Sequence, residues 1–205
     1  MKKKIAFFDF DNTLIRGDSF IYLLCYYHKQ HPYTCLPYLR FVVMYIAYCL
    51  RLVPFCVVKA AMLFPLQNMS KKQIQEFYEQ EVEPHFYANV VAALQQKKQD
   101  GYLIYIVSAS VEEYLQYCRL PVDKIIGTKI KRQNGNIKIV GNNCKKEAKV
   151  QRIQEQLEKE GITIDYDHSF AYSDSNSDIP MLKLVKNRIR VEKKTGAMRP
   201  FITRE

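Results

Sequence analysis

Three short apolar runs along the chain each stop at a polar side chain. Ile5-Ala6-Phe7-Phe8 stops at Asp9, Tyr102-Leu103-Ile104-Tyr105-Ile106-Val107 stops at Ser108, and Ser169-Phe170-Ala171-Tyr172-Ser173 stops at Asp174. A strand buried on both faces reads as such a continuous run, so each polar group is expected at the carboxyl end of a strand. Helical spacing fills the intervals: Val90, Val91 and Leu94 precede the second run, and Val150, Ile153 and Leu157 lead to a Gly161 stop before the third. Ile125-Ile126 and Ile189-Arg190-Val191 add further strands. Alternating strands and helices predict an α/β fold, a doubly wound parallel sheet whose ligands bind at the carboxyl edge of the strands.

Residues 17–87 break this alternation. They read as several helices rich in Tyr, Leu and Val, placed between the first strand and the helix before the second, and so as a cap over the site. The catalytic core is then expected from 1–16 and 88–205. Phe41 to Leu50 and Leu52 to Val58 are strongly apolar, but Arg40, Arg51 and Lys59 interrupt them and Pro37, Pro54 and Pro65 break any single helix. A membrane crossing needs about 20 uninterrupted apolar residues, which disfavours a span. Two readings stay open: a helical cap that packs its own core, and a peripheral contact with lipid through surface that so small an insert has little interior to hide.

Composition narrows the classes. A chain of 205 residues with 48% hydrophobic and 13% aromatic residues is that of a folded protein with one substantial core. A formal charge of +10 suits anionic partners, namely phosphorylated metabolites, acidic headgroups or nucleic acid. No recognition-helix pattern or aromatic RNA motif accompanies that charge, so nucleic acid is not expected. Six widely spaced cysteines without a C-x-x-C pair, and a Met1-Lys2-Lys3-Lys4 start without an apolar run, predict a reduced cytoplasmic setting, with the inner face of the membrane as the place of any lipid contact. Cys25, His28, His31 and Cys35 lie near one another, but Pro32 interrupts the helix and the spacing fits no familiar zinc pattern. The basic tail at Lys193, Lys194 and Arg199 reads as a solvated end or a membrane-facing patch.

The strand ends carry the chemistry. Asp9 and Asp11 stand two residues apart where the chain leaves its strand, and extended geometry would aim both at one crevice. One carboxylate of such a pair can attack phosphorus while the other protonates the leaving oxygen and then deprotonates water. Carboxylates and a phosphate monoester repel one another, so a hard cation is needed; magnesium suits oxygen ligands. Asp174 would bind it directly, and Asp178 would bind it or orient its waters. Ser108, the amides after it beginning with Ala109, and nearby Ser110 are expected to hold phosphate oxygens at a helix start. Lys149 would neutralise the phosphate and the acids, with Lys145 and Lys146 as alternatives. A second acid pair, Asp165 and Asp167, reads as loop.

At Phe8-Asp9-Phe10-Asp11-Asn12-Thr13-Leu14, Ile106-Val107-Ser108-Ala109-Ser110, Lys149 and Tyr172-Ser173-Asp174-Ser175-Asn176-Ser177-Asp178 the chain resembles the haloacid dehalogenase superfamily. The resemblance implies a Rossmann-like core, Asp9 as nucleophile, Asp11 as acid/base with its backbone carbonyl on magnesium, Ser108 and Lys149 on phosphate, and Asp174 and Asp178 serving the metal. The metal set is therefore expected from Asp9, Asp11, Asp174 and Asp178. The helical insert resembles the cap of the subfamily containing phosphoserine phosphatase, where Asp18 stands in place of a glutamate that reaches the substrate amine. A narrower likeness, to the phosphatidylglycerophosphatase C group, rests on Tyr172-Ser173-Asp174-Ser175-Asn176, the Cys144 to Lys149 approach, Asn187-Arg188-Ile189-Arg190-Val191 and the apolar, basic-dotted cap. It implies a phosphorylated lipid headgroup as substrate. A small soluble phosphomonoester, phosphoserine or an amino-alcohol phosphate, is the alternative. A phosphoacceptor signalling domain would leave both Asp11 and the cap unexplained.

Overall fold

The computed structural model describes residues 1–133 and 136–202. Its main sheet has seven strands: β1 (Ile5–Phe8), β2 (Leu103–Val111), β3 (Lys124–Gln133), β4 (Asn136–Val140), β5 (Phe170–Ser173), β6 (Asn187–Val191) and β7 (Met198–Pro200), in the order β4-β3-β2-β1-β5-β6-β7. The central five run parallel, and an antiparallel strand closes each edge. A separate two-stranded pairing joins Lys2–Lys3 to Thr163–Ile164.

All four residues of β1 are fully buried, because the sheet is covered on both faces. Successive side chains of a strand point to opposite sides. Ala6 and Phe8 accordingly enter one core with Ile104, Ile106 and Tyr172, and Ile5 and Phe7 enter the other with Tyr105, Val107 and Ala171. Helix α5 (Ala88–Gln99) brings Val90 and Leu94 to the first core; α7 (Glu147–Glu160) brings Ile153 and Leu157 to the second. Each large side chain so withdrawn contributes roughly 1.5–3 kcal/mol. Gly161, left-handed at φ 64°, ends α7 as its sequence position predicts. From β1 the chain moves through β2 and β3 on one side and returns to β5 on the other. This reversal opens a crevice beyond the carboxyl ends of β1 and β5.

Between β1 and α5 the chain is helical: α1 (Ser19–Gln30), α2 (Leu36–Cys49), α3 (Phe55–Met62) and α4 (Lys71–Phe77), followed by a π-helical turn at Tyr78–Val82. Ser70 and Gln73 cap α4 reciprocally. Leu23, Tyr26, Leu66, Ile74, Phe77 and Tyr78 are buried and join the first core. Helix α2 differs: it has no buried residue.

Candidate active site

Strand β1 delivers Asp9 to the switch point. Phe8 pairs with Ile106 on one side and Tyr172 on the other, and the Asp9 amide continues the ladder by donating to the Tyr172 carbonyl at 3.0 Å. The chain then turns sharply, with the Phe10 carbonyl accepting from the amides of Thr13, Leu14 and Ile15. Asn12 sits left-handed at φ 58°, a conformation asparagine tolerates better than most residues. Gly17, at φ 86°, lies under Tyr22, where a Cβ would stand 2.2 Å from the hydroxyl. Extended geometry thus ends before Asp11, and it is the turn that sets the direction of the second carboxylate.

Asp9 belongs to a buried charge cluster. Lys149, in the first turn of α7, donates from Nζ to Asp9 Oδ1 at 2.7 Å and to Asp178 Oδ2 at 2.9 Å, and is 2% exposed. Ser173 also donates to Asp178 Oδ2, at 2.8 Å. Burial raises the Asp9 carboxyl well above its ordinary range; Lys149 pulls it down, while Asp178 and Asp174 push it further up. Burial works against the Lys149 ammonium, but Asp9 and Asp178 together hold it above its ordinary value. Asp174 is buried too; its amide donates to Thr13 Oγ1 at 3.0 Å, and that hydroxyl donates to Asp174 Oδ1 at 3.2 Å, which ties the β1 turn to the end of β5.

Asp11 stands on a different set of donors. The Ser19 amide, at the start of α1, donates to Asp11 Oδ1 at 2.7 Å, and Ser110 Oγ donates to Asp11 Oδ2. Ser19 Oγ lies 3.0 Å from Ser110 Oγ and 2.9 Å from the Tyr114 hydroxyl, which completes a buried chain of hydroxyls. Burial, then Asp18, raises the Asp11 carboxyl, and the bonds from Ser110 and Ser19 partly offset this. Ser19 and Tyr114 carried no local signal, since their partners are distant in sequence.

Ser108 and Ala109 are not at a helix start. Strand β2 continues to Val111 with a shift of register after Val107, and the short helix α6 (Glu112–Leu115) begins only beyond it. The polar residues belong to an irregular strand end, where Ser108 Oγ accepts from the Ser110 amide at 2.9 Å. The Ala109 carbonyl accepts from Thr128 Oγ1 at 2.7 Å and from Lys59 Nζ, which also reaches Thr128 Oγ1 at 3.1 Å and Asn143 Oδ1. Lys59 comes from α3 and had appeared in sequence only as a break in an apolar run. Burial pushes its ammonium down to about 8, against the upward pull of Cys144, Asp11 and Asp18. The unfolded chain therefore binds the proton more tightly, and the cost is full below pH 8 and relieved as pH rises towards the ordinary lysine value. Thr128 Oγ1 still serves Ala109 and Asn143 when Lys59 is absent. Lys59→Met should consequently raise the melting temperature at pH 7, with the gain shrinking by pH 10; an equal or opposite difference at the two pH values would refute it.

A cavity of about 210 Å³ opens beside these groups, lined by Asp11, Asp18, Phe20, Phe55, Lys59 and Lys145 among others. Larger grooves beside α7 and the β3–β4 hairpin touch none of Asp9, Asp11, Asp174 and Asp178. Asp18 is exposed and caps α1, accepting from the Phe20 amide at 2.9 Å. Lys145 is exposed at the cavity wall and Lys146 is exposed outside it, so of the three lysines only Lys149 meets Asp9.

Asp9 and Asp178 share one buried ammonium, and Asp174 is buried close enough to push the Asp9 carboxyl up as Asp178 does, an excess of negative charge that fits a hard divalent cation. The Asp11 carboxylate faces Ser19 and Ser110, which leaves its backbone carbonyl as the atom expected towards the metal, and Asp178 Oδ2 accepts from Lys149 and Ser173. Among the described residues no three His, Cys, Asp or Glu side chains converge as a metal cluster, at Cys25, His28, His31 and Cys35 or elsewhere. Lys193, from the basic tail, brings its Nζ to 3.1 Å from Asp174 Oδ2 at the rim while its side chain stays 61% exposed. The second acid pair is away from the site, with Asp165 on Lys2 and Asp167 on Lys186.

Known proteins resemble this chain in sequence and in fold. A histidinol-phosphatase of Neisseria meningitidis serogroup C (strain 8013) is 29% identical in an alignment that spans 92% of this chain and 90% of that protein. A Bordetella pertussis Tohama I structure of unknown function superposes with a TM-score of 0.75 at 23% identity, over 93% of this chain and 90% of that one. A phosphoserine phosphatase, solved as a phospho-aspartyl intermediate analogue, gives 0.61 at 17% identity, over 93% and 87%. These two likenesses are of fold. The sequence itself matches the haloacid dehalogenase-like hydrolases across residues 6–183, and with its acid pair at the end of β1 the chain belongs to that family.

Proposed function

We propose that the protein is a magnesium-dependent phosphomonoesterase that works through an aspartyl phosphate on Asp9. One observation carries this reading: Asp9 is buried at the switch point, 2.7 Å from Lys149, while a second carboxylate two residues later is held by separate donors. An Asp9 carboxylate oxygen attacks phosphorus, the ester P–O bond breaks, and Asp11, its carboxyl raised by burial, gives its proton to the leaving oxygen. Asp11, now ionised, takes a proton from water; the water oxygen bonds to phosphorus, and the Asp9–phosphorus bond breaks to release phosphate. Lys149 and Ser108 hold phosphate oxygens. Magnesium, bound through Asp9, Asp174 and the Asp11 backbone carbonyl, would supply the positive charge that lets two anions meet.

The Ser110 hydroxyl favours ionised Asp11, so Ser110→Ala should raise the Asp11 carboxyl further. The alkaline limb of kcat/KM should then move to higher pH, because Asp11 keeps its proton longer. A limb that stays in place or moves down would separate Ser110 from the proton donor.

For the substrate we infer a small amine-bearing phosphate ester. The cavity beside Asp11 holds about 210 Å³ and presents the Asp18 carboxylate, and the Neisseria relative is named a histidinol-phosphatase. A phosphorylated lipid headgroup such as phosphatidylglycerophosphate is the second reading, favoured by the exposed apolar surface of α2. A panel of histidinol phosphate, phosphoserine and micellar phosphatidylglycerophosphate, run with magnesium and with chelator, tests both. Faster turnover of the lipid would reverse the order, and full activity in chelator would remove the metal.

A further inference from the structure

Helix α2 turns apolar residues outward. Leu36, Leu39, Val43, Ile46 and Leu50 recur at spacings of three and four, which puts them on one stripe of the helix, and they are 76%, 59%, 49%, 52% and 64% exposed. Leu52 and Phe55, at the turn into α3, extend the stripe, and Tyr33, Tyr45 and Tyr48 lie open among the aliphatic side chains. An apolar surface of this extent marks a contact. The charges around it are of one sign. From Ser19 to Gln75 the chain has no Asp or Glu, and Arg40 and Arg51 are exposed on the helical hairpin. The β3–β4 hairpin packs beside α3, and Lys138 shares a groove with Arg40, Met44 and Val57. In that hairpin Lys131 stands directly opposite Lys138, a pairing of like charges that costs stability unless an anion lies against it.

We propose that the α2–α3 hairpin, with the neighbouring lysines, docks on the surface of an anionic lipid bilayer. A second copy of the chain would set Arg40, Arg51 and Lys138 against their own kind with no acid to meet them, whereas acidic headgroups complement them. Tyrosines among aliphatic residues beneath a basic rim are the composition of an interfacial helix. No helix among the described residues is long and apolar enough to cross a membrane, so the hairpin lies on the bilayer rather than through it. Phe55 belongs both to this surface and to the wall of the cavity beside Asp11, so docking sets the mouth of the site at the lipid boundary.

The inference goes beyond the phosphatase reading and is tested without turnover. Sedimentation of the full chain with phosphatidylglycerol/phosphatidylcholine vesicles should show binding at least about tenfold tighter than with phosphatidylcholine alone, weakening with salt. Val43→Glu with Ile46→Glu should lower that binding about tenfold or more, and its melting temperature and p-nitrophenyl phosphate hydrolysis should match the native protein, since neither side chain is buried or lines the cavity. Asp9→Asn should bind vesicles as the native protein does. Failure to bind anionic vesicles at low salt, or binding indifferent to the double substitution, overturns the proposal. A dimer in solution that the double substitution dissociates, without vesicle binding, assigns the face to a second copy instead.

Discussion

Asp9→Asn is expected to lower kcat by about four orders of magnitude or more while the protein stays folded, as loss of a nucleophile does in other covalent mechanisms. The amide keeps the shape of the carboxyl group, and the backbone bond from Asp9 to Tyr172 that seats the residue in the sheet is untouched. It cannot form the acyl phosphate. The substitution also removes one of the negative charges crowded around Lys149, which keeps Asp178 at 2.9 Å. The melting temperature should therefore hold or rise. Phosphate release under saturating magnesium, together with trapping of labelled phosphoprotein, reads the effect. Activity above about one per cent of native, or labelling that persists in the variant, would place the nucleophile elsewhere.

What the chain reveals before it folds follows from where its strands lie. Strand β1 is legible because a central parallel strand is buried on both faces and each of its four residues must be apolar. The edge strands β4 and β7 are not, since Lys138 and Arg199 can face water there and break the run. The same limit explains the continuation of β2. Ser108 reads as the end of a strand and Ser110 as part of a helix start, yet both are buried in the continuation of β2, beside groups that no local pattern announces: Ser19 at Ser110 and Lys59 at the Ala109 carbonyl.

The order of acids, hydroxyl and lysine was legible for the same reason as the strands that present them. Direction was not. Asp178 sits in a short acidic stretch whose sequence leaves open whether it faces a metal or a lysine, and the answer depends on α7 arriving from 29 positions away. Ser19 meets Ser110 across 91 positions, so the support of Asp11 appears only in three dimensions. The apolar content of residues 41–58 suggested contact with lipid, and the narrower resemblance, which the same cap helped to carry, implied a lipid substrate. The folded chain separates two matters that composition merges: the apolar side chains of α2 face outward, while the cavity beside Asp11 is small and carries Asp18 and Lys59.

Lys149→Met should cost both stability and catalysis, and its pH dependence distinguishes the causes. The native ammonium is the buried partner of Asp9 and Asp178, and removing one side of a buried pair typically costs about 3–5 kcal/mol because the remaining charge has no compensation. Methionine fills most of the space, so the loss is electrostatic rather than a cavity. Lys149 pulls the Asp9 carboxyl down against burial; without it that carboxyl rises further above its unfolded value. A group with a raised folded pKa binds its proton more tightly in the native state, so stability falls as pH rises through that value. The deficit relative to native protein should be largest at neutral pH and shrink on acidification, and adding Asp178→Asn should recover part of it by removing one of the stranded charges. Turnover should fall by about two to three orders of magnitude with the loss of a charge aimed at the phosphate. Chemical denaturation across pH decides the matter. A deficit that is the same at every pH, or one that Asp178→Asn deepens, would mean that Lys149 serves packing rather than the neutralisation of the acids at the end of β1.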